Sequence, residues 1–153
     1  MEMKPVYLSK EGLQKLREEL EYLEGTKKKE VSARIEKAKD HGDLKENAEY
    51  HDAKDEMGWL MSRVLTIRDQ LARSSIVEKS DNESVSIGSQ VKVEVKDKIK
   101  TLTIVGAPEA SPADGLISND SPLGLAIIGK RVGEQAVVEA PVGNVIYTIL
   151  EIA

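Results

Sequence analysis

The sequence predicts an α+β protein: a long antiparallel α-helical hairpin of coiled-coil type, followed by a small, mostly antiparallel β-sheet domain with one short helix. Two periodicities carry that expectation. Through the first half, apolar residues recur in steps of three and four, the seam of a coiled coil. Beyond residue 75 the apolar residues alternate with period two, as strands require. Composition changes at the same place. Residues 1–78 hold 15 of the 22 Lys and Arg and 17 of the 27 Asp and Glu, and four of the five prolines lie beyond residue 100. Two domains are therefore expected, 1–78 and 79–153, divided within VEKSDNESVSIG.

In order along the chain, Ser9 precedes KEGLQKLREELEYLEG and can cap a helix. Gly12 stands where a capping box would place Glu, so the box is incomplete in the local sequence. Leu13, Leu16, Leu20 and Leu23 form the apolar stripe, which weakens through GTKKKE and resumes at Val31, Ile35 and Ala38. One helix from about Ser9 to about Asp40 is expected, bent near Gly25, where glycine costs about 1 kcal/mol relative to alanine. Tyr50, Ala53, Met57, Leu60, Val64, Ile67 and Leu71 define the second helix. Each narrow stripe can be buried only against the other, so the pair closes as a hairpin around DHGDL. At about 1.5 Å per residue, roughly 32 residues reach about 48 Å, so the hairpin should project with its turn at the far end. QVKVEVK, IKTLTIVG, QAVVEAPVG and NVIYTILEIA read as strands, with a turn at PVGN. In SPLGLAIIGK, Ser121 can cap a short helix with Pro122 at its first position.

Bulk composition excludes several classes. Cysteine is absent, so neither disulfides nor thiolate metal sites are possible. No apolar run is long enough to span a bilayer, and the opening MEMKPVYLSKEG lacks a secretory signal's apolar stretch, so no membrane partner and a cytoplasmic location are expected. A net charge of −5 argues against a nucleic-acid coat. With no Phe, one Trp and four Tyr, a single-strand stacking platform is not expected either.

The turn GDLKENAEY concentrates Asp43, Glu46 and Glu49. The plainer explanation is a capping box, with Asp43 at the cap and Glu46 three residues on, favoured by the helix dipole. It leaves unexplained why such a motif should end a projecting hairpin, and why Glu49 is added. The chemical explanation is a hard cation. Two carboxylates three residues apart can share Mg²⁺, a poor site alone but a sufficient one if another macromolecule supplies the remaining ligands. His41 and His51 flank the turn and are read as surface or cap residues. Arg34, Lys37, Lys39, Lys45 and Lys54 lie near the turn and read either as an ordinary solvated face or as phosphate contacts. No nucleophile triad or Gly-rich phosphate loop occurs elsewhere.

GDLKENAEYHDAK, preceded by IEKAKDH, resembles the tip of the bacterial Gre transcript-cleavage factors, the GreA and GreB family. GLQKLREELEYL and ISNDSPLGLAIIGK extend the resemblance over nearly the whole chain. It implies a coiled coil followed by an FKBP-like domain, and docking at the secondary channel of bacterial RNA polymerase. It further implies a tip whose acidic pair, Asp43 and Glu46, helps hold the polymerase's second Mg²⁺ while the polymerase cleaves nascent RNA in backtracked complexes. On that footing the protein is a monomeric activator rather than an enzyme, with Mg²⁺ shared and none tightly bound alone. Arg34, Lys37 and Lys54 become contacts to the RNA 3′ end, and Asp120, Ser121 and Pro122 polymerase-docking residues. The spread basic set leans toward the GreA side of the family. Leu125 stands where many members have Arg, Met57 where Gln is common, and PVGN in place of a Pro-Gly-Gly turn. The main alternative is a paralogue of the same fold that occupies the channel and inhibits synthesis. A chaperone-like hairpin would need exposed apolar residues at the tip, which offers only Leu44.

Overall fold

The computed structural model describes residues 4–77 and 82–153. The expected boundary between residues 78 and 79 lies outside the described residues. By packing, the chain forms two compact units: Gln14–Arg73, and residues 1–13 together with 74–153. Two strands missing from the sequence reading explain why the first 13 residues join the second unit. β1 (Val6–Leu8) pairs in parallel with β2 (Ser74–Ile76), Tyr7 opposite Ser75. Each has three residues, too few for an alternating pattern to register.

The helical unit is a hairpin. α1 (Lys10–Tyr22) runs through a π-helical turn at Leu23–Lys27 into α2 (Lys28–Lys39). α3 (Ala48–Ala72) returns. The seam buries Leu16, Leu23, Val31 and Ala38 against Ala53, Leu60, Val64 and Ile67. Buried positions on the outgoing side are therefore seven, eight and seven residues apart. The extra residue falls in the π turn, whose wider coil absorbs it and returns Val31 to the seam. That same insertion is why the apolar stripe fades through GTKKKE. The expected irregularity at Gly25 is thus a widened turn within a continuous helical path. Ion pairs flank the seam: Arg63 Nε and Nη2 donate to the two Glu19 carboxylate oxygens at 2.7 and 2.9 Å, and Arg68 pairs with Glu24. The Arg68–Glu24 pair is exposed and adds little stability, about 0.2–1 kcal/mol, whereas the two-bonded Arg63–Glu19 pair is partly buried. They do fix which residues face one another.

In the second unit, β3 (Gln90–Val95), β4 (Lys98–Val105), β5 (Leu116–Ser118), β6 (Gln135–Ala140) and β7 (Gly143–Ile152) form one sheet in the order β5-β4-β3-β7-β6. All neighbours are antiparallel except β4 with β5. The four strands read from the sequence are present, and β5 is a further short one. β3 alternates exposed and buried along its length, placing Val91, Val93 and Val95 on the core side. Val91 and Val93 meet Leu102, Ile104, Ile117, Ala136 and Ile149, and Ile127 of α4 (Pro122–Ile127) completes this core. Lys96 and Asp97 turn β3 into β4 with φ of 51° and 62°, the left-handed geometry of a two-residue hairpin. No helix among the described residues is long and apolar enough to cross a membrane.

Candidate functional site at the hairpin tip

Between α2 and α3 the chain turns through Gly42, whose φ of +109° disfavours any side chain. Asp43 follows in extended geometry and caps only a short 3₁₀ turn, Leu44–Glu46, where its Oδ1 accepts from Lys45 N–H at 3.1 Å. The cap of α3 is a different residue. Asn47 Oδ1 accepts from Tyr50 N–H at 3.1 Å, and Asn47 Nδ2 donates to Ala38 O at 2.6 Å. One amide thus closes the start of α3 and adds a second donor to a carbonyl at the end of α2 that also accepts from His41 N–H.

This assignment alters the capping-box explanation of the acidic pair. Asp43 lies four residues before α3's cap, and the reciprocal bond from Glu46 back to the Asp43 amide is not made. Glu46 is exposed, and its carboxylate has no hydrogen-bond or ion-pair partner among the described residues. Nearby, His51 Nε2 lies 3.3 Å from Lys45 O and stacks edge-on against Tyr50, while His41 Nε2 lies 3.9 Å from Glu49 Oε2. Both histidines are thus occupied locally. Among the described residues no group of three or more His, Asp or Glu is arranged to hold a metal ion. The tip presents exposed carboxylate oxygens, the donor type that hard cations take, in fewer number than a closed site needs.

The three basic candidates differ from one another. Arg34 pairs with Glu56, which also takes Lys27 at 3.0 Å. Those two cations, Lys27 first, hold the Glu56 carboxyl below the usual carboxylate range, and Glu56 in turn raises Lys27. Lys37 and Lys54 are exposed, with no ion-pair partner among the described residues. Lys37 and Arg34 border a shallow cleft of about 350 Å³ with Glu49, Asp52 and Glu56, floored by Ala38 and Ala53. Arg34 is therefore committed within the hairpin, and the free cations near the tip are lysines.

In the sheet unit, Ser121 caps α4 as the sequence suggested. Its Oγ accepts from Gly124 N–H at 3.0 Å and donates to Ser118 O at 2.7 Å. Asp120 is exposed and is held by the Ser118 hydroxyl. Pro122 is exposed at the first helical position, and Leu125 is 68% exposed one turn further on. Gly124 is buried: a Cβ there would lie 2.1 Å from Ser118 O, so β5 and α4 can approach only through glycine. Two site features were missed from sequence. Asn47 was hidden because Asp43 and Glu46 already fitted a capping box. The engagement of Arg34 required knowing the hairpin register, which the π turn shifts by one residue.

The chain thus combines a coiled-coil hairpin bearing an acidic turn with a five-stranded sheet that carries one short helix. Residues 6–76 match the family described as transcription elongation factor, N-terminal, and residues 80–153 match transcription elongation factor, GreA/GreB, C-terminal. The chain is 44% identical to the transcription elongation factor GreA of Caldanaerobacter subterraneus, covering 97% of this chain and 98% of that one. It is also 44% identical to GreA of a Roseiflexus species, covering 99% of each. Among solved structures it is similar to GreA factor homolog 1 of Thermus thermophilus, with 25% identity, a TM-score of 0.46 and coverage of 98% and 99%. The chain belongs to the GreA/GreB family of transcription elongation factors.

Proposed function

We propose that this elongation factor binds bacterial RNA polymerase at its secondary channel and stimulates the polymerase's own cleavage of nascent RNA in backtracked complexes. The observation that carries the reading is the release of the tip carboxylates from structural duty. Asn47 caps α3, so Glu46 keeps a free carboxylate and Asp43 spends one oxygen on a single backbone amide. Asp43 and Glu46 would complete the ligand set of a second Mg²⁺ held mainly by the polymerase, an ion that activates water for phosphodiester hydrolysis when bound. The residues fit such a group because they are hard oxygen donors, exposed, and too few to hold it alone. On this reading the protein is an activator and not itself a nuclease, acts as a monomer in the cytoplasm, and carries no tightly bound metal.

Lys37 and Lys54 are the proposed contacts to RNA phosphates near the 3′ end, with Arg34 contributing through its outward edge while paired to Glu56. Asp120 and Pro122 supply the exposed part of the docking segment, and Ser121 shapes it from inside. The alternative is occupancy of the channel with inhibition and no cleavage.

The test adds the protein to a stalled polymerase complex with Mg²⁺ and end-labelled RNA. The wild type is expected to shorten the RNA. Asp43→Asn and Glu46→Gln are expected to bind the polymerase normally and lose the shortening. Slowed synthesis without shortening by the wild type would favour the inhibitor. Shortening undiminished in both variants would contradict the role of the tip.

A further inference from the structure

The first turn of α1 has an incomplete capping box, since its third position is Gly12. The missing carboxylate is present, but it comes from 100 residues downstream. Glu109 ends a 3₁₀ turn, Ala107–Glu109, on the connection between β4 and β5. Its Oε2 accepts from Ser9 N–H at 3.0 Å, and its Oε1 accepts from the Ser9 hydroxyl at 2.6 Å. Ser9 Oγ in turn accepts from Gly12 N–H at 3.0 Å. These are the bonds of a capping box, with the acid supplied by another segment. Gly12 makes room for it. A Cβ on Gly12 would lie 2.4 Å from the Glu109 carboxyl carbon and within 2.8 Å of both oxygens.

A second observation shows how closely the same segments are pressed together. Gly106, three residues before Glu109, is buried against β1, and a Cβ there would lie 1.6 Å from Tyr7 O. β1 also pairs with β2, the strand that follows α3. The strand that precedes α1 is thus engaged twice, by pairing with β2 and by the close approach of the Gly106–Glu109 segment.

The geometry assigns Glu109 the role of a latch: it fastens the first turn of α1, where the chain enters the hairpin, to the β4–β5 connection, and Gly12 is the keyhole. Glu109 is a positioning residue, acting through Ser9 and the backbone of α1. A local Glu at position 12 would cap the helix equally well without fastening it to anything. The arrangement therefore provides a connection that capping alone does not need.

A cycle of variants in the full-length chain tests this. Glu109→Ala should speed amide exchange at Ser9 by about tenfold or more, as expected for losing a charge-assisted bond, while Glu109→Gln keeps most of the protection. Gly12→Ala should favour the fold less in urea unfolding when Glu109 is present, because the added methyl displaces the Glu109 carboxylate from Ser9. In the Glu109→Ala background nothing is displaced, and alanine, the better helix former, should favour the fold by about fivefold at most. Equal effects of Gly12→Ala in both backgrounds would overturn the latch. The combined variant Gly12→Glu with Glu109→Ala restores a local cap and removes the connection. Resting on the function proposed above, it should protect Ser9 normally yet stimulate RNA shortening several-fold less than wild type at saturating factor. Wild-type shortening by that variant would overturn the positioning role. If the unmodified protein gave no shortening, the proposed function would fail, and the exchange and unfolding cycle would still decide the latch.

Discussion

Two helix starts in this protein solve the same problem in opposite ways. At α4 the residue that caps the helix, Ser121, belongs to the segment proposed for docking, and its hydroxyl is consumed by Gly124 N–H and Ser118 O. At α3 the capping is done by Asn47, and the acidic pair just upstream is left largely unspent. One polar turn is tied inward and the other faces out. A carboxylate at a helix start is ordinarily recruited to cap it; here Asn47 caps α3, Asp43 serves only the short 3₁₀ turn, and Glu46 is left unpaired among the described residues.

Substitutions at the two turns should therefore fall on different sides of a stability–activity divide. The largest stability effect is expected from Gly124→Ala, which forces β5 and α4 apart. Thermal or urea unfolding should show a loss of about 3 kcal/mol, as for an overpacked core. Next, Asn47→Ala should cost about 1–2 kcal/mol, because the N–H of Tyr50 loses its cap, while the carbonyl of Ala38 loses one donor and keeps the N–H of His41. Ser121→Ala should cost about 1 kcal/mol by the same measurement. Asp43→Asn and Glu46→Gln should change stability by less than about 0.5 kcal/mol, as exposed substitutions away from any buried bond do. A larger loss from Glu46→Gln would break the contrast, since it would reveal a structural duty at the tip.

The smallest effect concerns pH. Lys27 and Arg34 depress the Glu56 carboxyl, so the link it makes across the hairpin is fully present above the ordinary carboxylate range. Stability from this group should fall as pH drops through the depressed value, where the folded carboxylate finally takes up a proton. Glu56→Gln should flatten that acid limb of an unfolding curve and leave the limb near neutrality unchanged.

How much of this was legible beforehand depends on scale. The seam from Tyr50 to Leu71 and the alternation in QVKVEVK were readable because each repeats often enough to fix a period. β1, β2 and β5 were not, since three residues cannot establish one, and β1 and β2 pair with each other across the whole length of the hairpin sequence. The π turn left a trace, the fading stripe after Leu23, but a fade does not say whether a helix bends, breaks or widens. At the tip, Asp43 and Glu46 were legible as residues and ambiguous as roles, because their spacing suits a cap as well as a ligand. The bonds of Asn47 take the cap of α3 away from the pair, and the ligand role stands as a proposal. Glu109 left no local signal. Gly12, three residues after the capping Ser9, showed that the box was incomplete in the local sequence and gave no sign of where an acid would come from.

The most direct measurement of the central claim is the Mg²⁺ dependence of RNA shortening by a stalled polymerase at saturating factor. If the outward-facing carboxylates share that ion, Glu46→Gln and Asp43→Asn should each move the half-saturating Mg²⁺ concentration upward, with part of the lost rate recovered at high Mg²⁺. Titrations that superimpose on the wild-type curve, differing neither in midpoint nor in plateau, would contradict it.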